Sequence, residues 1–276
     1  MVRIGACTVI YNPDEQVINN IKTYIDKVNV CVVVDNSEKK NIVCELLKNT
    51  PEITYIDMHG NKGIAAALNR GIEFLQKKDI DYVLTMDQDS KFPKQYYEKI
   101  INLVEKYGNE YSVVGLNYNY SSKELNDEIV EAQYWLTSGN FVKITDFNKI
   151  GKFDEELFID YVDIEYGYKL YKNNLKLCYL KNFSLEHEIG NPIQINLFGK
   201  KFFAMNHNAI RYYYRYRNSY YLYKKDKIFF KKEFFKEIFV NIPKMMIYER
   251  DRRNKIKMIY FALKDAKSKK MGKYDK

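Results

Sequence analysis

Short apolar runs that each stop on polar residues constrain this chain most. Arg3-Ile4-Gly5-Ala6-Cys7-Thr8-Val9-Ile10 breaks at Tyr11-Asn12-Pro13, and Val28 to Val34 stops at Asp35-Asn36-Ser37. Tyr82-Val83-Leu84-Thr85-Met86 runs into Asp87-Gln88-Asp89-Ser90. A near-continuous apolar run of this length is the pattern of a strand buried on both faces, as in a parallel sheet covered by helices. Helical patterns lie between the runs. Val17, Ile18, Ile21, Tyr24 and Ile25 recur at helical spacing after Asp14, and Ile64 to Leu75 form a second helix after Asn61-Lys62-Gly63. Ile53–Ile56 and Val113–Leu116 read as further strands. Alternation of this kind means βαβ units with right-handed crossovers, an α/β, Rossmann-like domain with a mainly parallel central sheet.

Ligands of such sheets bind beyond the carboxyl ends of the strands. Here those ends carry Tyr11 and Asn12, Asp35 and Asn36, and Asp87, Gln88 and Asp89. Residues i and i+2 of an extended backbone point the same way, so Asp87 and Asp89 can face one point. Carboxylate oxygens suit Mg2+ or Mn2+, and Mg2+ is usually shared with substrate phosphates. A phosphorylated ligand with a divalent ion fits these strand ends. The bland alternative is an Asp-x-Asp-Ser that opens a loop and caps the next helix. No GxGxxG follows the first strand and no GxxxxGK[ST] occurs, which removes the physical basis of dinucleotide and P-loop readings.

A second polar set follows. Tyr134 to Val142 combines the sole Trp, Trp135, with Thr137-Ser138-Gly139-Asn140, either a binding segment or simply a turn. Phe153 to Glu165 opens a helix running to about Asn173, with Asp160, Asp163 and Glu165 in its first turns. Carboxylates are stabilised at a helix N-terminus, so capping alone would account for them. Trp135, Ser138, Gly139, Asn140 and Asp160 are this set's candidate binding residues. His187, in Glu186-His187-Glu188-Ile189-Gly190, is one of only three histidines, and a lone His is more often packed or exposed than a ligand.

The net charge of +9 is unevenly spread. Residues 200–276 carry 23 Lys and Arg against 7 Asp and Glu, while residues 1–199 carry 22 against 29. We therefore divide the chain into a domain over 1–205 and a basic, aromatic-rich helical appendage over 206–276. The appendage holds Arg211-Tyr212-Tyr213-Tyr214-Arg215-Tyr216-Arg217, Ile228-Phe229-Phe230 and Phe234-Phe235. Basic amphipathic helices of this kind suit an anionic membrane surface, or they pack on the main domain with a solvated Lys face. A nucleic-acid binder stacking bases on the Tyr-rich tail is the rival from another class. It leaves the ordered carboxylates of the acidic half without a purpose, so no nucleic-acid partner is expected. Cys7, Cys31, Cys44 and Cys178 form no CxxC pair, which suits a reduced protein. Met1-Val2-Arg3 enters a strand at once and no apolar run approaches the roughly 20 residues of a membrane span. The expected location is cytoplasmic and peripheral on the inner face of the cell membrane. A homo-oligomer is compatible with the chain.

The chain resembles family 2 of the inverting glycosyltransferases, in particular its bacterial rhamnosyltransferase-like branch, over about residues 3–220. Six segments in the same order carry the resemblance: Cys7-Thr8-Val9-Ile10-Tyr11-Asn12; Val33-Val34-Asp35-Asn36-Ser37; Asn61-Lys62-Gly63-Ile64-Ala65-Ala66-Ala67-Leu68-Asn69; Asp87-Gln88-Asp89-Ser90; Thr137-Ser138-Gly139-Asn140; and Phe158-Ile159-Asp160-Tyr161-Val162-Asp163-Ile164-Glu165. The resemblance implies a GT-A fold, a nucleotide-diphosphate sugar donor, Mg2+ or Mn2+, and a glycan or lipid-linked saccharide acceptor. It implies that Thr8, Tyr11 and Asp35 line the base and ribose site and that Lys62 approaches the diphosphate. Asp89 would be the principal metal ligand with Asp87 nearer the ribose or sugar, His187 would meet the metal or diphosphate, and Asp163 would be the general base. dTDP-rhamnose is the favoured donor, with a UDP-hexose as the alternative. Two positions depart from the pattern: Val162 stands where a Glu is common, and Lys169 where an Arg is usual.

Overall fold

The computed structural model describes residues 2–118, 126–187, 193–197, 200–204 and 206–275, with backbone alone at 187, 193–197 and 200–204. Glu188, Ile189 and Gly190, read with His187 above, lie outside the described residues. The chain forms two compact units, Met1–Glu155 with Val162–Glu188, and Glu156–Tyr161 with Ile189–Lys276. The division differs from a single cut near residue 205 in two ways: the C-terminal unit begins at Ile189, and it also takes Glu156–Tyr161 from the middle of the chain.

The first unit alternates strand and helix as its hydrophobic pattern dictates: β1 (Ile4–Ile10), α1 (Gln16–Ile21), β2 (Val30–Asp35), α2 (Ile42–Lys48), β3 (Ile53–Asp57), α3 (Ile64–Leu75) and β4 (Tyr82–Asp87). It continues through β5 (Ser90–Lys91), α4 (Tyr97–Tyr107), β6 (Val113–Tyr118), β7 (Ile129–Ala132), β8 (Asn140–Lys143), α5 (Ile144–Ile150), α6 (Val162–Lys172) and β9 (Leu177–His187). The strand order is β3-β2-β1-β4-β8-β6-β9-β5, with β7 also on β9. β1 through β4 pair in parallel, whereas β8 runs antiparallel between β4 and β6. β5 and β7 run antiparallel to β9. The sheet is thus wholly parallel from β3 to β4 and mixed beyond it, where β6 and β9 also pair in parallel. All seven residues of β1 are buried, as expected of a strand covered on both faces. Gly71 lets α3 lie close on it: a Cβ there would stand 2.2 Å from Cys7 Sγ. The four cysteines are buried and none is in a disulfide.

The second unit contains the hairpin β10 (Ile193–Leu197) and β11 (Lys200–Ala204), then α7 (Ala209–Lys225), α8 (Lys231–Lys236), a π turn over Glu237–Asn241, α9 (Ile242–Tyr248) and α10 (Arg252–Lys267). The Arg-Tyr-rich segment of α7 faces inward. Tyr212, Tyr213, Tyr214 and Tyr216 are buried with Phe158, Met245, Ile259 and Ala262. Their hydroxyls are used internally, Tyr212 on Glu249 at 2.7 Å, Tyr213 on Asp265 at 2.8 Å and Tyr216 on the Glu237 carbonyl at 3.1 Å. These rings are core, which corrects their reading as an anionic-partner surface. Among the described residues no helix is long and apolar enough to cross a membrane.

Segment 156–161 is held in this unit by two side chains of α7. The Asn218 amide donates to the carbonyls of Leu157, Ile159 and Asp160 at 2.8, 2.8 and 2.9 Å, and Arg217, fully buried, donates to Glu156 and Leu157 at 3.1 and 3.0 Å. Those contacts hold a backbone that L-residues rarely adopt, with φ of 65, 63 and 68° at Phe158, Asp160 and Tyr161.

A buried ion pair supports the helices: Lys255 Nζ lies 2.8 Å from Glu249 Oε2, with side-chain exposures of 2% and 4%. Burial pushes the Glu249 carboxyl up, but hydrogen bonds from Lys255 and Tyr212 outweigh it and hold the group below its ordinary value. A depressed carboxyl contributes stability above its unfolded pKa of about 4.3, and that contribution is lost as pH falls through the lower folded value. Lys255→Ala strands the carboxylate and is expected to destabilise the unit by about 3–5 kcal/mol. Urea unfolding measures it, and an unchanged midpoint would show that the pair does not support the unit.

Candidate active site

The polar residues at the carboxyl ends of β1, β2 and β4 gather at one end of the first unit's sheet. Parallel register sets this, pairing Ile10 with Asp35 and Val9 with Asp87. Tyr11 is exposed, and its backbone N–H is held by Gln88 Oε1 at 2.8 Å. Asn12 is exposed at φ 46°, its N–H bonded to Ser37 Oγ at 2.7 Å. Lys62 is exposed, and its N–H bonds Asn36 Oδ1 at 2.7 Å. Asn36, 4% exposed, also donates to Asn61 Oδ1 at 3.1 Å, and Asn61 in turn accepts from Gly63 N–H at 3.0 Å. Tyr11, Asn12 and Lys62 are therefore the accessible members of the donor-side group, and Asn36 braces the turn that carries Lys62.

Thr8 and Asp35 sit differently. Thr8 is fully buried with its hydroxyl 2.7 Å from Tyr24 Oη, so its side chain belongs to the core, a correction to its expected place in the ligand surface. Asp35 is also fully buried. Burial alone would raise its carboxyl, yet Lys40 at 2.8 Å, Ser37 N–H at 2.8 Å and the Tyr55 hydroxyl hold it below the usual carboxylate range. Lys40 also bridges to Asp57 at 2.8 Å. The end of β2 is thus a charge-compensated cluster whose cation, Lys40, the sequence did not single out.

Asp87 closes β4, and Asp87, Gln88 and Asp89 are half-exposed. Segment 137–140 braces this turn. Ser138, 1% exposed, accepts from Asp87 N–H at 3.0 Å and hydrogen-bonds Ser90 Oγ at 2.8 Å, while Gly139 N–H donates to Thr85 O at 2.6 Å. Asn140 lies in β8, 7% exposed. Ser138, Gly139 and Asn140 are wall and brace here, which corrects their reading as open binding contacts. Gly139 has φ 73°, and a Cβ on it would lie 2.5 Å from Leu185 Cδ1. Gly139→Ala is therefore expected to cost at least about 1–3 kcal/mol of stability, readable as a lower urea midpoint. Trp135 is half-buried, donates from Nε1 to Leu116 O at 2.7 Å and stacks on Tyr179 with centroids 3.7 Å apart.

Tyr118 adds to the brace of segment 137–140. Its hydroxyl donates to the carbonyls of Ser138 and, at 3.3 Å, Leu136. Burial first, then the charges of Asp87, Asp163 and Asp89, push its phenol well above the ordinary value, so it stays protonated through neutral pH. Tyr118 ends β6, and the same strand-end rule that exposed Asp87 would have found it had the Val113–Leu116 strand been extended by two residues.

Asp163 is half-exposed in the first turn of α6, where Oδ1 accepts from Ile164 N–H at 2.9 Å. The neighbouring carboxylates are engaged elsewhere. Glu165 is fully buried and pairs with Lys169 at 3.3 Å, which gives the departure at Lys169 a partner. Asp160 belongs to the second unit, where it accepts from Arg211 through Nε at 3.2 and 3.3 Å and Nη2 at 3.1 Å. The backbone of His187 pairs with Ser90, one residue past Asp89.

The donor set can be tested for a divalent ion. Among the described residues no group of three His, Cys, Asp or Glu side chains forms a closed cage. Two adjacent carboxylates at a strand end fit Mg2+ or Mn2+ shared with phosphate oxygens, and do not fit a structural zinc.

The chain is similar to known proteins in sequence and in fold. The model of the family described as Glycosyl transferase family 2 matches residues 8–156. A dTDP-rhamnosyl transferase, RfbF of Shigella flexneri, is 25% identical over 248 residues, covering 82% of this chain and 81% of that protein. Among solved structures, S. aureus TarS superposes with a TM-score of 0.62 at 14% identity, covering 96% of this chain but only 48% of that chain. Its 1–349 fragment gives 0.58 at 14% identity, covering 98% and 88%. At this identity the TarS likeness speaks for the fold.

Proposed function

Starting from the premise that this chain belongs to glycosyl transferase family 2 and is a nucleotide-sugar glycosyltransferase, we propose that it moves L-rhamnose from dTDP-rhamnose to an acceptor hydroxyl with inversion. The acceptor would be a glycan or lipid-linked saccharide at the inner face of the cell membrane, in the synthesis of a bacterial surface polysaccharide such as capsule or O-antigen. The choice of rhamnose rests on the similarity to the dTDP-rhamnosyl transferase. The mechanism rests on the placing of Asp87 at the end of β4, Asp89 two residues on and Asp163 in the first turn of α6.

On this reading the donor lies along the ends of β1, β2 and β4, with Lys62 toward the diphosphate. Asp89, with Asp87, would hold Mg2+ or Mn2+, which when bound supplies positive charge against the departing nucleotide diphosphate. Asp163 takes the proton of the acceptor hydroxyl as that oxygen bonds to the anomeric carbon and the bond to phosphate breaks. Attack from the face opposite the leaving group inverts the centre. Ser138 fixes the Asp87 backbone, and Tyr118 hydrogen-bonds the brace that Ser138 belongs to.

The test is turnover of a panel of nucleotide sugars, read as released nucleotide diphosphate. dTDP-rhamnose should be consumed fastest. Preference for a UDP-hexose would overturn the donor assignment and leave the transferase reading standing.

A further inference from the structure

Residues 231–248 form one continuous helical run in the second unit, α8, the π turn and α9, with helical backbone at each junction. Like an ordinary surface helix it turns apolar residues inward, with Met245 fully buried and Ile238 and Ile242 packed on the core, but it also carries a second apolar row on its outer side. Outward point Phe235, Phe239, Val240, Pro243, Met246 and Ile247, with Phe239 at 68% exposure and Ile247 at 60%. Phe235 and Phe239 stack on each other, centroids 5.6 Å apart and planes 3° from parallel. Inward point two carboxylates of this run and its C-cap, Glu237 and Glu249, each 4% exposed. Both are neutralised from within. Arg215 donates twice to Glu237, at 2.9 and 2.7 Å, with the Tyr161 hydroxyl at 3.0 Å, and Lys255 and Tyr212 engage Glu249.

The outward stripe is apolar and bordered mainly by cations, with Glu233 half-exposed and Asp251 exposed at its two ends. Between Lys236 and Arg250 the only acidic residues are the two buried ones. Lys231, Lys232, Lys236 and Arg250 are exposed at its borders and Lys244 is half-exposed beside it. On α10, Ile256 and Tyr260 are exposed at 45% and 63% with exposed Arg253 and Lys257. A contiguous apolar stripe of this size on a soluble surface marks an interaction site. A protein partner would be expected to meet lysines with carboxylates at fixed points, whereas a continuous row of aromatics bordered by cations suits a surface that is apolar in depth and negative at its rim.

We propose that this run is an in-plane membrane helix, seated on an anionic phospholipid surface with Phe235, Phe239, Val240, Met246 and Ile247 at the acyl boundary and the lysines among the headgroups. It narrows the basic tail's membrane contact to one face and leaves out the first half of α7, whose Tyr212, Tyr213, Tyr214 and Tyr216 are core. The geometry stands whichever sugar is transferred, so a wrong donor and a wrong surface fail in different assays.

The experiment is flotation of the full chain with phosphatidylcholine vesicles, with and without phosphatidylglycerol, at low and high salt and without sugar nucleotide. Recovery should be about tenfold or more higher with the anionic vesicles and should fall with salt. Phe239→Asp with Ile247→Asp should abolish flotation while circular dichroism and urea midpoint stay as in the parent, since both sites are exposed. Lys236→Glu with Lys244→Glu should remove the preference for anionic vesicles. In a Phe239→Trp variant, emission should shift blue on adding anionic vesicles beyond the response of Trp135 alone. Equal recovery on both vesicles, no recovery on either, or no shift at position 239 overturns the proposal. A dimer by light scattering that Phe239→Asp with Ile247→Asp turns monomeric, without flotation, would instead make the face an interface between copies.

Discussion

Replacing Asp163 by Asn is expected to cut turnover by roughly 10²–10⁴-fold, the usual contribution of a positioned general base. Asn keeps the size of the side chain and can still accept from Ile164 N–H, so α6 should start as before. It cannot take a proton. Donor affinity by calorimetry should be unchanged, because the donor-side groups lie at the ends of β1, β2 and β4. The other two carboxylates near this point of the chain are poor substitutes: Glu165 is buried against Lys169 and Asp160 is clasped by Arg211. Turnover near the parent level would remove Asp163 from the mechanism, and loss of donor binding together with turnover would make it a binding residue.

Asp89→Ala is the second large effect. A methyl group offers no oxygen to a hard cation, and losing several kcal/mol of charge stabilisation corresponds to about 10²–10³-fold in rate. EDTA should stop the parent enzyme, and Mn2+ or Mg2+ should restore it but not the variant. Full turnover in EDTA would refute metal dependence outright. The variant should fold normally, since Asp89 is half-exposed and the turn is held by Ser138 on Asp87 and Ser90.

What could be read from the sequence was what short-range pattern encodes. β1, β2 and β4 show as continuous apolar runs because both faces are covered, and α3 runs over Ile64–Leu75 as its periodicity predicts. The strand-end rule puts Tyr11, Asn12, Asp35, Asp87 and Asp89 at or just past the carboxyl ends of β1, β2 and β4, where the structure has them. Beyond β4 the signal fails for a physical reason. β5, β7 and β8 have two, four and four residues, too few for a period to show, and their antiparallel pairing is set by partners far along the chain. The same distance hid Lys40, which matters only because β2 and β3 align Asp35 with Asp57. Serine and glycine of segment 137–140 look alike whether they touch ligand or brace a turn, and only the bonds from Ser138 and Gly139 decide. The Tyr-rich helix misled because composition reports what residues are present and not which way they face.

The placing of segment 156–161 has a consequence for how this protein can be recombined. The chain enters the C-terminal unit at Glu156, leaves it at Tyr161 and returns after Glu188, so the two units are interleaved in sequence. A chain ended before α7 would keep the peptide of 156–161 yet lose Arg217 and Asn218, leaving the carbonyls of Glu156, Leu157, Ile159 and Asp160 without these donors. The C-terminal helices are then not a portable module. Hybrids between relatives made at one late junction would mismatch the segment and its clasp, and viable exchanges would have to transplant six residues from the middle of the gene along with its end.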